Sequence, residues 1–287
     1  MSFRGPGRLD PVGNDNDDDD FQHGARLMTA TELFRNGRLA DAIAAQIAAV
    51  KAHPGDAGIR TFLFELLLFA GDLDRAVKHL DAVRAETPEL IAAAEAYRGI
   101  VAAEKARRAA LAGKAEPPSF FGEIPEHAKL RVETLKNPTD PGVATQFAAA
   151  DKAAPDLTGS LNGKPFGGLR DADDLFGTVL EVFAQGKYFW VPFEQVASLS
   201  ANPPKFPRDT LYLPARLTLA DESSGDVFLP TLYPESYESS DDAVKLGRAT
   251  EWDSGTGAVR GHGHRTILIG DADVGLVEIR ELNVSSK

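Results

Sequence analysis

His262 and His264 alternate within GTGAVRGHGH, and alternate residues of a strand share a face, so both imidazoles would offer nitrogen ligands on one side. Two such nitrogens hold a transition metal weakly, and a third ligand would have to come from elsewhere. Exposed histidines in a glycine-rich turn entering a strand need no metal. Asp15, Asp17 and Asp19 have the alternate spacing of a calcium loop, but Asp20 stands where that loop needs glycine and Arg26 where it needs a bidentate glutamate. The match to calcium fails. Asp171, Asp173 and Asp174 read as a solvated loop and helix cap. The Gly-Lys pairs at Gly113, Gly163 and Gly186 lack both the upstream glycine and the following Ser or Thr of a phosphate loop. No serine sits in a G-x-S-x-G elbow, and no helix pattern carries two histidines flanking a glutamate. With no cysteine in the chain, thiol nucleophiles, thiolate metal sites and disulfides are excluded. The residues nominate no catalytic, cofactor-binding or metal-binding group, and the chain reads as a non-enzyme.

The elements that would position any function begin with a repeat. LFRNGRLADAIAAQIAAVKAHP is followed, at a shift of 34, by LLFAGDLDRAVKHLDAVRAETP. The shift pairs Leu33 with Leu67, Gly37 with Gly71, Leu39 with Leu73, Ala42 with Ala76 and Pro54 with Pro88. A period of about 34 residues is that of the tetratricopeptide helix-turn-helix unit. Each unit reads as two helices joined at its glycine, which takes the positive φ that other residues resist. An ordinary antiparallel bundle would need the apolar stripes but not the matched glycines, alanines and prolines. After Pro88 an alanine-rich helix to about Leu111 reads as a third unit or a cap.

Composition bounds the partners. The formal charge is -12. Residues 1 to 22 hold six Asp and two Arg, or -4, leaving -8 on the remainder. An acidic body with no dense basic patch is a poor partner for nucleic acid or anionic membrane. No run approaches the roughly 18 apolar residues of a membrane span, and the start lacks a signal-peptide core, so the expected location is cytoplasmic. Residues 1–22 have little apolar surface to bury and are expected to be a disordered acidic tail. The expected divisions are then a tetratricopeptide-like helical domain at 23–115, a connecting loop and short helices at 116–155, and an antiparallel β domain at 156–287.

In that last part the period changes to two. Asn162-Gly163 and Gln185-Gly186 each sit between extended runs, a hairpin signal because both residues of such a turn tolerate positive φ. LYLPARLTLADESSGDVFLP and HRTILIGDADVGLVEIREL offer two further pairs, and Phe193 to Leu199 reads as a short helix. Hairpins without crossover helices imply an α+β chain, helices first, then a mainly antiparallel curved sheet or small barrel. Tyr188 and Trp190 share one strand face and Phe189 and Val191 the other, divided between packing and recognition, with Trp252 a further candidate.

A tetratricopeptide groove is a preformed concave surface suited to a helix or an extended peptide. In the repeat's register the first helix of each pair lines it, which nominates Leu27, Thr31, Phe34 and Arg35, then Thr61, Glu65, Leu68 and Phe69. Glu65 interrupts an otherwise apolar helix; it either snorkels to the surface or meets a partner's donor in the groove.

Together with the repeat, KYFWVPFE (187–194), PARLTL (214–219), LGRATEW (246–252) and GHRTILIGDADVGLVEIREL (263–282) resemble the ImpE, or TagJ, family of type VI secretion accessory proteins. The resemblance covers roughly residues 26 to 284 and omits the acidic tail. His264 stands where many relatives carry glutamine, which leaves the strand reading intact. The resemblance implies a non-enzymatic cytoplasmic protein without cofactor. It would bind the N-terminal helix of the small sheath subunit, TssB, and be linked to sheath recycling by the ClpV ATPase. Two other readings stand beside it: a general peptide-binding repeat adaptor, and a small-ligand or enzymatic site around Trp252, His262, His264 and Arg265.

Overall fold

Helices come first because the repeat dictates them. The computed structural model describes residues 28–83, 87–120, 122–255 and 257–286. The acidic stretch 1–22, its calcium-like spacing and Leu27 lie outside the described residues. The repeat folds as α1 (Ala30–Arg35), α2 (Leu39–Ala52), α3 (Ala57–Phe69) and α4 (Leu73–Asp81), with α5 (Pro88–Leu111) lying along the end of the array. Gly37 and Gly71 turn each pair at φ 77° and 71°. Ala42 and Ala76 are wholly buried where the helices pack. Thr29, Asp56, Asp72 and Thr87 each accept a backbone N–H at a helix start, which satisfies donors the helix leaves free. A hairpin of α6 (Glu126–Thr134) and α7 (Val143–Ala153) then leads to the strands.

The strands β1 (Leu157–Leu161), β2 (Lys164–Gly167), β3 (Leu169–Asp171), β4 (Val179–Ala184), β5 (Lys187–Pro192), β6 (Val196–Ala201), β7 (Tyr212–Leu219) and β8 (Ser224–Pro230) are followed by a short α8 (Asp242–Lys245). Then come β9 (Thr250–Asp253), β10 (Arg260–Gly263), β11 (Thr266–Ile269), β12 (Ala272–Gly275) and β13 (Glu281–Ser286). Eight of them form one sheet, in the order β2-β1-β13-β6-β7-β8-β4-β5, with every pairing antiparallel. β12-β11-β3 and β10-β9 make two smaller sheets. The architecture is thus a tetratricopeptide-like helical region followed by an antiparallel curved sheet, without closure into a barrel. The Asn162-Gly163 and Gln185-Gly186 turns have positive φ at both residues, as their hairpins require. One expectation is corrected: helix covers only a 3-10 turn at Phe193–Gln195, after which the chain extends as β6 because Val196 and Leu199 face the sheet core.

β4 explains how the halves join. All six of its residues are buried, so both of its faces are covered. Leu180, Val182 and Ala184 point into the core of the curved sheet, whereas Val179 and Phe183 belong to a second core shared with α3, α5 and α6. At the β4–β5 turn, Gly186 approaches Gly99 of α5 so closely that a Cβ on Gly99 would lie 3.3 Å from the Gly186 Cα.

Candidate partner-binding surface

The concave side of the helical array is where the repeat predicts a partner, and the nominated residues there divide by depth. Thr31 and Arg35 are exposed, and Phe34 and Thr61 are half-buried. Phe34 packs on Phe62 and Phe69 with ring centroids 6.0 and 5.3 Å away. Leu68 and Phe69 are only 4% and 2% exposed, so they belong to the core rather than to a surface, with Phe69 packed beneath Phe34.

Glu65 corrects both sequence readings at once. It neither snorkels nor waits for a partner: it is buried, and its carboxylate is held by Arg208 from the 3-10 turn Pro207–Thr210 between β6 and β7. Burial pushes the Glu65 carboxyl up, opposed by the Arg208 charge. The guanidinium sits 4.5 Å from the Tyr97 ring centroid and 4.1 Å from that of Phe206, within the reach of cation–π attraction. Asp209 accepts from the backbone N–H groups of Lys205 and Phe206, at 2.9 and 3.0 Å, which fixes the loop as a hook. The sheet half therefore reaches into the array and supplies in cis the donor that one of the two sequence readings sought in a partner. It also brings to the surface Phe206, which is half exposed. No periodicity could nominate Arg208 or Phe206, because they lie in a proline-rich loop about 140 residues from α3.

At the glycine corners the second half grips again. Arg248 donates to the carbonyls of Arg35 and Phe34 at 2.9 and 2.8 Å, satisfying the C-terminal end of α1, and Asp242 accepts the N–H of Leu39 at the start of α2. Tyr237 packs on Gly71 where any Cβ would overlap its ring.

Between α5 and the sheet lies a buried ionic cluster. Arg107 donates to both oxygens of Glu181 at 2.8 and 2.7 Å and to the carbonyl of Leu232 at 3.0 Å. Arg265 donates to Glu181 at 2.6 Å and to Asp171 at 3.0 and 2.5 Å. Tyr188 and Tyr233 donate to Glu181 and Asp171 at 2.5 and 2.8 Å. Glu181, Asp171 and Arg265 are all 0% exposed. Burial alone would raise the Glu181 pKa, but Arg107 and Arg265 outweigh it and hold the group below its usual range. At Asp171 burial prevails over Arg265 and the pKa is raised. The expectation of a solvated loop at Asp171 and Asp173 is corrected by this burial; Asp173 accepts from Arg260, Leu175 and Gly261. Tyr188 and Trp190 are buried in the same region, so they are packing residues, whereas Trp252 is exposed at 46%.

The two histidines part company. Gly263 between them takes φ 100°, which breaks strand alternation, so His262 lines a cavity beside α7 while His264 packs under Gly275. Among the described residues no group of three or more His, Asp or Glu is placed to hold a metal ion. Thr178, His127 and Glu194 do form a relay, with Thr178 Oγ1 2.9 Å from His127 Nδ1 and His127 Nε2 2.6 Å from Glu194. His127 and Thr178 are 1% and 8% exposed, and the three side chains join α6 to the sheet. No helix among the described residues is long and apolar enough to cross a membrane.

The described residues thus form a tetratricopeptide-like array packed against an antiparallel β region. The chain belongs to the family of ImpE and TagJ proteins. Residues 163–283 match the ImpE protein family model and residues 33–104 a tetratricopeptide repeat model. The type VI secretion system accessory component TagJ of Pseudomonas aeruginosa is 36% identical over 264 residues, 91% of this chain and 92% of that one. The crystal structure of protein VPA1032 from Vibrio parahaemolyticus superposes with a TM-score of 0.81 at 26% identity, covering 90% of this chain and 98% of the other.

Proposed function

We propose that this chain is a cytoplasmic, non-enzymatic accessory protein of a type VI secretion system that binds the N-terminal helix of the small sheath subunit, TssB. Through that contact it is linked to sheath recycling by the ClpV ATPase. The observation that carries the reading is the 36% identity to TagJ across 91% of the chain, which includes both the array and the sheet. The array supports it physically, since a preformed groove takes the apolar face of an amphipathic helix. The proposed contact residues are Leu27, Thr31, Phe34, Arg35 and Thr61, backed by the core residues Leu68 and Phe69. Glu65 contributes by holding Arg208, and thereby Phe206, at the edge.

The test is calorimetric titration with a peptide covering the N-terminal helix of the sheath subunit encoded in the same cluster. Phe34→Ala should weaken binding by about 1–3 kcal/mol, as for a central anchor. Phe34 is the cleaner probe than Phe69, whose truncation would also cost about 3–5 kcal/mol of stability. Unchanged affinity in a folded Phe34→Ala protein would move the site elsewhere. No binding by either the peptide or the whole subunit would overturn the reading.

A further inference from the structure

The chain enters its described part at Met28, beside a corner of the array that carries excess positive charge. Arg38 Nη1 lies 3.9 Å from Met28 Sδ, and an open cavity of about 340 Å³ is lined there by Met28, Glu32, Arg35 and Asn36. Four cations gather at this corner, Arg35, Arg38, Lys245 and Arg248, against three carboxylates, Glu32, Asp41 and Asp242. Every carboxylate is engaged. Glu32 accepts from the N–H and Oγ1 of Thr29 at 2.7 and 3.0 Å, Asp41 from Arg38 at 2.8 Å, and Asp242 from the N–H of Leu39 at 2.8 Å with Lys245 3.8 Å away.

Two guanidiniums are left over. Arg35 and Arg248 are both exposed, and among the described residues neither has a carboxylate partner; Arg248 donates only to the carbonyls of Arg35 and Phe34. Both adjoin Phe34, which is half-buried: Arg35 follows it in α1, and the Arg248 guanidinium lies 5.6 Å from its ring centroid. The corner thus offers two unneutralised cations around an aromatic ring that is partly open to solvent.

The sequence ahead of Met28 holds the complement. Asp17, Asp18, Asp19 and Asp20 run directly into Phe21, four anions followed by an aromatic. Phe21 and Met28 are seven positions apart, a reach of up to about 25 Å. The six residues of α1 span only about 9 Å, so the tether covers the corner with slack. Exposed ion pairs are individually weak, but a short tether raises the local concentration of the run into the millimolar range.

We infer that residues 17–21 dock in cis on this corner, the aspartates against Arg35 and Arg248 and the Phe21 ring against Phe34 and Met28. Phe34 and Arg35 are also the residues proposed to meet the sheath helix, so the docked segment competes with that helix, a consequence that rests on the sheath reading.

The chain has no cysteine, so Asn16→Cys gives a single attachment point for a nitroxide on the 15N-labelled full chain. At about 10 mM salt, where the Debye length is about 30 Å, paramagnetic broadening is expected at the amides of Phe34 to Gly37 and Gly247 to Ala249. A neutral variant that adds Asp17→Asn, Asp18→Asn, Asp19→Asn and Asp20→Asn keeps the same tether and supplies the baseline. Broadening there should fall about two-fold or more, and Arg35→Gln in the acidic chain should lower it too. In the acidic chain it should persist on dilution and drop to that baseline at about 1 M salt. Equal broadening in the acidic and neutral chains, broadening centred away from this corner, or loss on dilution, which would place the segment on a second copy, would overturn the docking. Calorimetry with the sheath peptide reads the competition, and the neutral variant should bind it about two-fold tighter or more. Equal affinity would overturn the competition, whereas no binding by either chain would sink the sheath reading and leave the docking to stand on the broadening.

Discussion

Replacing Glu181 by Gln tests whether the buried ionic cluster joins the two halves. The carboxylate is 0% exposed and accepts four hydrogen bonds, from Arg107 twice, Arg265 and Tyr188. Gln keeps the shape but removes the charge between two buried arginines. Whichever way its amide turns, the NH2 faces an arginine donor, because Arg107 bonds both oxygens. Breaking a buried pair from one side leaves an uncompensated charge and typically costs about 3–5 kcal/mol. Tm moves roughly 2–4 °C per kcal/mol in chains of about 200 residues, so a fall of about 6–20 °C is expected. Urea denaturation gives the free energy and scanning calorimetry the Tm. Arg107→Met closes a double-mutant cycle with Glu181→Gln, and the double variant should be less destabilised than the sum by about 1–3 kcal/mol. A cost under about 1 kcal/mol for Glu181→Gln, with additive singles, would refute the claim that this cluster couples the helices to the sheet.

The repeat offers a matched pair of substitutions. Gly37→Ala meets only Arg248 Nη1 at 3.5 Å and should cost about 1–2 kcal/mol from its positive φ, while Gly71→Ala also drives a Cβ into the Tyr237 ring and should cost at least about 1 kcal/mol more in denaturant titration. Burial lowers the His264 pKa below 6.5, so the unfolded chain takes up a proton first, and stability present above that pH is lost as pH falls below it, by up to about 1.4 kcal/mol per unit. His264→Gln should flatten the slope of stability against pH, leaving the part due to His79, whose pKa burial also lowers.

The elements of local chemistry were readable without coordinates. Gly37 and Gly71 mark turns by their own backbone freedom, and Asn162-Gly163 and Gln185-Gly186 mark hairpins in the same way. What stayed hidden depends on partners distant in sequence. Glu65 is ambiguous until Arg208, 143 residues later, is seen to occupy it. Asp171 and Asp173 sit among polar neighbours and read as solvated until Arg265, Arg260 and Tyr233 close over them. One such partner is legible in the sequence itself: Glu181 is a lone acid in VLEVFA, and a charge inside a run apolar on both faces needs a buried cation. Register alone selects a helix face and cannot show that Leu68 and Phe69 are buried in the core.

Helical-repeat proteins ordinarily lengthen by duplication, because each unit's outer face accepts another copy. In this chain the last helix spends that face on β4 and β5, with Arg107 committed to Glu181 and Gly99 pressed against Gly186. A further unit inserted after α4 would push α5 off the sheet and part Arg107 from Glu181, leaving Arg265 as the remaining cation on that carboxylate. The number of repeats is thus set by the sheet, and the length of any segment the array can hold is set with it.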